Sequence, residues 1–331
     1  MLELWYDKRT KSPDVQEMRR ENIRRTGNFA VKSLIVALLS FAGWESYQRS
    51  PVTLSIQEPR GSQKLIRIPR RDANRLEAFF RYVFAWDGIV FSLTGSKPLS
   101  LAAHGIGIFD CGYKPNHLIQ HVYSIRRFKI GWETWEKYSH LFKNDRFIFW
   151  KENHRSKDQS MSLCLADKVY LSQIIEEHQR EFNAILQQDR VDPEQLIQEC
   201  LCKDIVADVL KGNSALLGIM LGYGRENAWF FQNQQGKVLT KPNPSVWTSA
   251  ELKKIYKGHL GQKEMSFQQY EMEDVLVPFF VGYPDSAESK ELKKKYIAAK
   301  EALDRFYVGK NFLEATLSLF KYGPEILDLK R

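Results

Sequence analysis

The stretch RFIFWKENHRSKDQSMSLCLADKV, Arg146–Val169, decides the fold. Arg146 to Trp150 and Ser160 to Ala166 are short β-rich runs on either side of the polar segment ENHRSKDQ, so the chain is expected to turn back here as a hairpin. Beyond Asp167 the period changes. Val169, Ile174, Ile175, Phe182, Ile185 and Leu186 form an apolar stripe at helical spacing. Asp192 and Pro193 open a further helix, because Asp accepts from free N–H groups of a first turn and Pro has none to lose there.

Before that stretch, Pro51 to Ile68 alternates apolar and polar residues about Pro59, Arg60 and Gly61, which predicts another hairpin. Asp72 is placed to cap a helix carrying Leu76, Phe79, Phe80, Val83 and Phe84 on one face and ending by Asp87 and Gly88. In GIVFSLTGSKPLSLAAHGIGIFD, Gly88–Asp110, two β-rich runs flank Gly95, Ser96, Lys97 and Pro98, whose φ preferences suit a reversal, so a second hairpin is expected. Trp132, Trp135, Tyr138, His140 and Phe142 mark a short aromatic helix.

After it, Asn213 is placed to cap one buried helix through SALLGIMLGYGRENAWFF, Ser214–Phe231, too short an apolar run to span a bilayer. In that helix Gly218 and Gly222 would share a face open to close backbone approach. A helix near Ser249 to Leu260, a β-like run from Val275 to Tyr283 and two helices parted near Gly309 complete the chain. The charge run KELKKKY, Lys290–Tyr296, reads as a solvated helix face. Hairpins first and helices later define an α+β fold, antiparallel hairpins of the N-terminal half packed with a largely helical C-terminal half.

With 331 residues, 43% hydrophobic and 13% aromatic, the chain can close a core without disulfide or metal staples. The expected organisation is a basic and apolar leader, 1–48, before a single globular domain, 49–331. In the leader, VKSLIVALLSFAGW, Val31–Trp44, follows a basic stretch and precedes a polar one, with Ser40 and Ala42 suited to cleavage after Ala42. Met18 gives the neater start. This segment reads as a secretory signal, a membrane-surface attachment, or a helix docked on the domain.

A net charge of +9 favours anionic partners such as lipid headgroups or nucleic acid. Basic residues concentrate at Arg60, Lys64, Arg67, Arg70, Arg71 and Arg75, read either as a solvated face or as a phosphate-backbone contact. The four cysteines, Cys111, Cys164, Cys200 and Cys202, match neither a disulfide framework nor a paired zinc site.

One candidate site is His104, Asp110, Cys111, His117 and His121, whose imidazole, carboxylate and thiolate groups are the usual ligands of zinc. His117 and His121 fall one helical turn apart, but Leu118 stands where a zincin carries its glutamate. Hydrogen-bonded or surface histidines are the competing reading. The other candidate is Arg225, Glu226 and Asn227, either a polar cleft in which Arg225 holds an anion and Glu226 moves a proton, or an internal network.

The segments FSLTGSKPLS (Phe91–Ser100), LLGIMLGYGRENAWFF (Leu216–Phe231) and FFVGYPDSAESKELKKKY (Phe279–Tyr296) resemble a group of uncharacterised proteins of intracellular bacteria. The resemblance implies a bacterial origin and brings no activity, cofactor or residue role. The leading expectation is a non-catalytic bacterial binding or interaction protein, exported or held at an anionic membrane surface. The alternatives are a metal-assisted hydrolase using His117 and His121, and nucleic-acid backbone binding through Arg60–Arg75.

Overall fold

A computed structural model describes residues 40, 43–59, 61–104, 128–152, 161–234, 245–255, 275 and 277–327, with residues 85–87, 103, 104, 161, 253 and 254 described in backbone only. The contacts divide the chain into a smaller unit, residues 1–52 with 67–71, and a larger one, 53–66 with 72–331. In the smaller unit a helical stretch at 43–49 carries Tyr47, whose ring lies 4.5 Å beneath the Arg70 guanidinium.

The architecture is α+β, with the strands in the N-terminal half and helices following. Strands β1 (Pro51–Gln57) and β2 (Gln63–Pro69) form the first expected hairpin, turned at Gly61 with φ 82°. Helix α1 (Arg70–Asp87) starts directly after β2, so Asp72 lies inside its first turn rather than before it. There its buried carboxylate accepts from Lys137 Nζ and Tyr138 Oη, each at 2.8 Å. The cap has become a tether to α3, 128–138, which holds Trp132, Trp135 and Tyr138 of the expected aromatic helix, whereas His140 falls in the 3-10 turn Ser139–Leu141 and Phe142 follows it.

The run expected as the first strand of a second hairpin is instead a buried helical turn, α2 (Val90–Leu93). Its end is wrapped by the GSKP turn: the Phe91 carbonyl accepts from the Ser96 and Lys97 amides and from the Thr94 and Ser96 hydroxyls. Four consecutive residues buried all round, three of them apolar, carry no period, so helix and strand look alike in sequence. Only the second run is a strand, β3 (Leu99–His104).

That strand pairs across the chain. β4 (Phe147–Lys151) and β5 (Met161–Asp167) form the antiparallel pair expected from the deciding stretch, and β3 adds to the other edge of β5, giving the order β3-β5-β4. Because side chains alternate, each face of the sheet builds its own core. Leu99, Trp150, Cys164 and Ala166 join an aliphatic cluster with Leu171 and Ile175 of α4 (Lys168–Glu177), Phe182 of α5 (Gln179–Leu186) and Leu196, Ile197 and Cys200 of α6 (Pro193–Cys202). On the opposite face Phe149 meets Trp132 at 5.2 Å, Trp135 at 5.8 Å, Phe320 at 5.6 Å and Phe79 at 6.3 Å. Asp192 caps α6 as expected, whereas Val169 is exposed and leaves the stripe assigned to it.

The single helix expected from Ser214 to Phe231 is two, α7 (Ser214–Met220), capped by Asn213, and α8 (Arg225–Gln234). Gly222 and Gly224 turn the chain between them with φ 73° and 85°, a conformation that costs other residues about 1–2 kcal/mol. Gly218 and Gly222 therefore share no helix face. A Cβ on Gly218 would lie 2.8 Å from that of Ala228, so Gly218 is where α7 and α8 approach closely.

Helix α9 (Ser249–Ile255) matches the described part of its expected segment. The run from Val275 to Tyr283 is not a ladder strand: among the described residues it makes one isolated bridge, Ser245 to Val281. Helices α10 (Ala287–Tyr307) and α11 (Phe312–Tyr322) part at Gly309 as expected, capped by Ser286 and Asn311. The KELKKKY run is not wholly solvated, since Tyr296 is completely buried and Lys293 and Lys295 are half-buried. No helix among the described residues is long and apolar enough to cross a membrane.

Candidate functional site

The three segments Phe91–Ser100, Leu216–Phe231 and Phe279–Tyr296 meet around one side chain, Tyr296. Its hydroxyl donates to the Gly222 carbonyl at 2.9 Å, and its ring stands edge-on to Phe91 at 5.9 Å and Phe280 at 6.5 Å. Phe280 stacks on Tyr223 at 4.7 Å, and Lys97 Nζ lies 5.1 Å from the other partner of that stack, the Tyr223 ring. A Cβ on Gly222 would strike Pro98 of the GSKP turn. The turn between α7 and α8 thus needs glycine twice over, for its φ and for the proline against it.

At the start of α8 the residues Arg225, Glu226 and Asn227 diverge. Arg225 is exposed and pairs with Glu181 of α5. Burial works to raise the Glu181 carboxyl, but the Arg225 hydrogen bond and charge and the helix backbone outweigh it and hold it below the usual range. Glu226 points to solvent. Asn227 is 1% exposed and saturated: its Nδ2 donates to the Tyr223 carbonyl (3.0 Å) and Glu288 (3.2 Å), while its Oδ1 accepts from the Tyr283 amide (2.9 Å) and the Ser289 hydroxyl (3.2 Å). Gly282 and Gly224 leave room for this knot, since a Cβ on either would collide with Asn227 or Glu288.

Further along α10, Lys295 Nζ donates to the Tyr170 hydroxyl at 2.6 Å. Burial pulls the amine down to about 8, against the charges of Asp167 and Glu177 that favour its protonation. Tyr170 lies in the first turn of α4, fixed by Asp167, whose Oδ1 accepts from the Tyr170 amide. Burial, then the charges of Glu177 and Asp167, raise the Tyr170 phenol above its ordinary value. The Asp167 Oδ2 is held by Arg146 Nε (3.0 Å) and Nη2 (2.7 Å). Neither Lys295 nor Tyr170 stands in a motif. The legible signal is spacing: Lys295 falls three residues after Leu292 and four before Ala299, on the inward side of α10.

His104 closes β3 opposite Met161, and its side chain lies outside the described residues together with Asp110, Cys111, His117 and His121. Among the described residues no group of His, Cys, Asp or Glu is placed to hold a metal ion. Cys164 and Cys200 are buried and Cys202 is exposed. Burial, with the Glu152 charge next, pushes the Cys164 thiol well up and the Cys200 thiol to about 12, so both are poor nucleophiles. Of the basic run, Arg60 is outside the described residues, Lys64, Arg67 and Arg71 are exposed, and Arg75 lies 3.7 Å from Asp72.

Compared with known proteins, the chain matches no family model, no curated protein and no solved structure.

Proposed function

We propose that the protein is a non-catalytic binding protein whose recognition surface is the start of α8 together with the extended run 279–283, and that its partner is a basic segment of another protein. The observation that carries this reading is a pair of aromatic side chains of that run turned to solvent: Phe279 is 59% exposed and Tyr283 50%. Tyr283 is pinned through its amide to Asn227 and through its ring to Phe230 at 4.4 Å, so little freedom is lost when it is covered. Aromatic anchors of this kind concentrate at the centres of interfaces.

The charges beside them select the partner. Glu226 and Asp285 are exposed, whereas the Arg225 charge is answered by Glu181. Carboxylates beside tyrosine and phenylalanine rings favour Lys and Arg side chains, by ion pairing and by the negative face of each ring. An array of basic and acidic dodecapeptides probed with the full chain tests the reading. Basic peptides are expected to be retained, and retention is expected to fall at least ~10-fold in the doubly substituted Phe279→Ala/Tyr283→Ala protein. Equal retention of acidic peptides, or no loss on substitution, overturns it.

The accompanying proposal of export or membrane-surface attachment is supported by the order of basic flank, apolar run and polar segment before residue 48. Fractionation of cells expressing the native start tests it. Recovery of the uncut chain wholly in the soluble cytoplasmic fraction removes it.

A further inference from the structure

The lysines of α10 provide their own control. Lys293 Nζ lies 2.8 Å from Glu251, Lys294 Nζ 3.6 Å from Glu291 and Lys300 Nζ 2.7 Å from Asp304. Lys295 differs. Among the described residues its amine has no carboxylate within ion-pair distance and donates instead to a phenol, Tyr170. The carboxylate whose charge acts on it most, Asp167, is already committed to Arg146 and to the first turn of α4. The side chain is half-buried rather than enclosed.

An amine whose one described hydrogen-bond partner is a neutral phenol is suited to attack on a carbonyl, because no carboxylate beside it locks it in the ammonium form. We propose that Lys295 captures small aldehydes as an imine, with Tyr170 as the group that moves the proton. The neutral Nζ adds to the carbonyl carbon; the C–N bond forms, the carbonyl π bond breaks, and an Nζ proton passes to the oxygen to give a carbinolamine. The Tyr170 hydroxyl then protonates the departing oxygen, water leaves, and the phenolate recovers its proton from the iminium nitrogen. The net change is amine plus aldehyde giving imine plus water, with no oxidant or reductant. Burial supports both roles, enlarging the neutral share of the amine relative to an ordinary lysine and keeping the phenol protonated. The site is separate from the aromatic surface proposed for partner binding, so each can fail alone.

The full chain is incubated at pH 7 with acetaldehyde, trapped with borohydride and mapped by peptide mass spectrometry. Lys295 is expected to carry the reduced adduct ~10-fold above the median lysine, an excess that shrinks toward pH 10.5 as ordinary amines lose their protons. Tyr170→Phe, checked for an unchanged melting temperature, is expected to slow adduct formation at Lys295 and at no other lysine. Labelling of Lys295 at or below the median at pH 7 overturns the capture site. An undiminished rate in Tyr170→Phe overturns the role given to the phenol.

Discussion

Asn227 and Lys295 both bear on α10, about two turns of that helix apart, and they use polarity in opposite ways. Every donor and acceptor of the Asn227 amide is taken by Tyr223, Glu288, Tyr283 or Ser289. Lys295 reaches only one described partner with its amine. A saturated buried amide fixes one arrangement of α8, the 282–286 turn and α10, whereas an amine buried beside a phenol gives up its proton more readily than an exposed lysine does. The same helix therefore carries a structural lock and a reactive group, separated by what lies opposite each.

The largest effect is expected at the lock. Asn227→Ala takes the acceptor from the Tyr283 amide and the buried Ser289 hydroxyl, while the residue 227 amide keeps Glu288, and is expected to cost about 2–3 kcal/mol in urea unfolding. A loss below ~1 kcal/mol would break the contrast, since the knot would then be dispensable. Next comes the turn beneath it. Gly222→Ala meets both a φ of 73° and Pro98, and a loss of about 2–3 kcal/mol is expected from the same measurement. Tyr296→Phe deletes a single hydroxyl but leaves the Gly222 carbonyl without its donor, for about 1–2 kcal/mol.

Lys295→Met sharpens the other side of the comparison. The amine's folded-state pKa of about 8 lies below its ordinary 10.5, so the unfolded chain binds more protons between those values and stability rises with pH across that window. The cost of burying the ammonium is full below pH 8 and fades toward 10.5. Lys295→Met is therefore expected to be at least as stable as the natural chain at pH 7, and the gap is expected to close by pH 10.5. A gap that widens with rising pH contradicts the assignment. The smallest effect is expected at Glu226→Gln, within ~0.5 kcal/mol in stability because the side chain faces solvent, with any change confined to basic-peptide retention.

Much of the frame could be read from residue type and period. The hairpins at Pro59–Gly61 and ahead of Asp167, the caps Asp192 and Asn213 and the break at Gly309 rest on local physics, a side-chain oxygen meeting free amides or a glycine at positive φ, and each is found. The failures share another cause. Val90–Leu93 is helical because the GSKP turn satisfies its end, and the α7–α8 break needs Pro98 and Tyr296 from distant segments to hold Gly222. Arg225, Glu226 and Asn227 were visible as polar groups in an apolar run, but their divergence was not, because Glu181, Glu288 and Tyr283 lie far off in sequence. Lys295 was hidden by its neighbours in KELKKKY, whose charges masked an inward position.

The strand order β3-β5-β4 has a consequence for synthesis. The central strand is the last of the three to leave the ribosome, and β3 and β4 make no ladder with each other, so two apolar strands wait without partners until Met161–Asp167 emerges. Sheet assembly accordingly waits for β5, and a nascent chain halted before that point holds β3 and β4 unpaired.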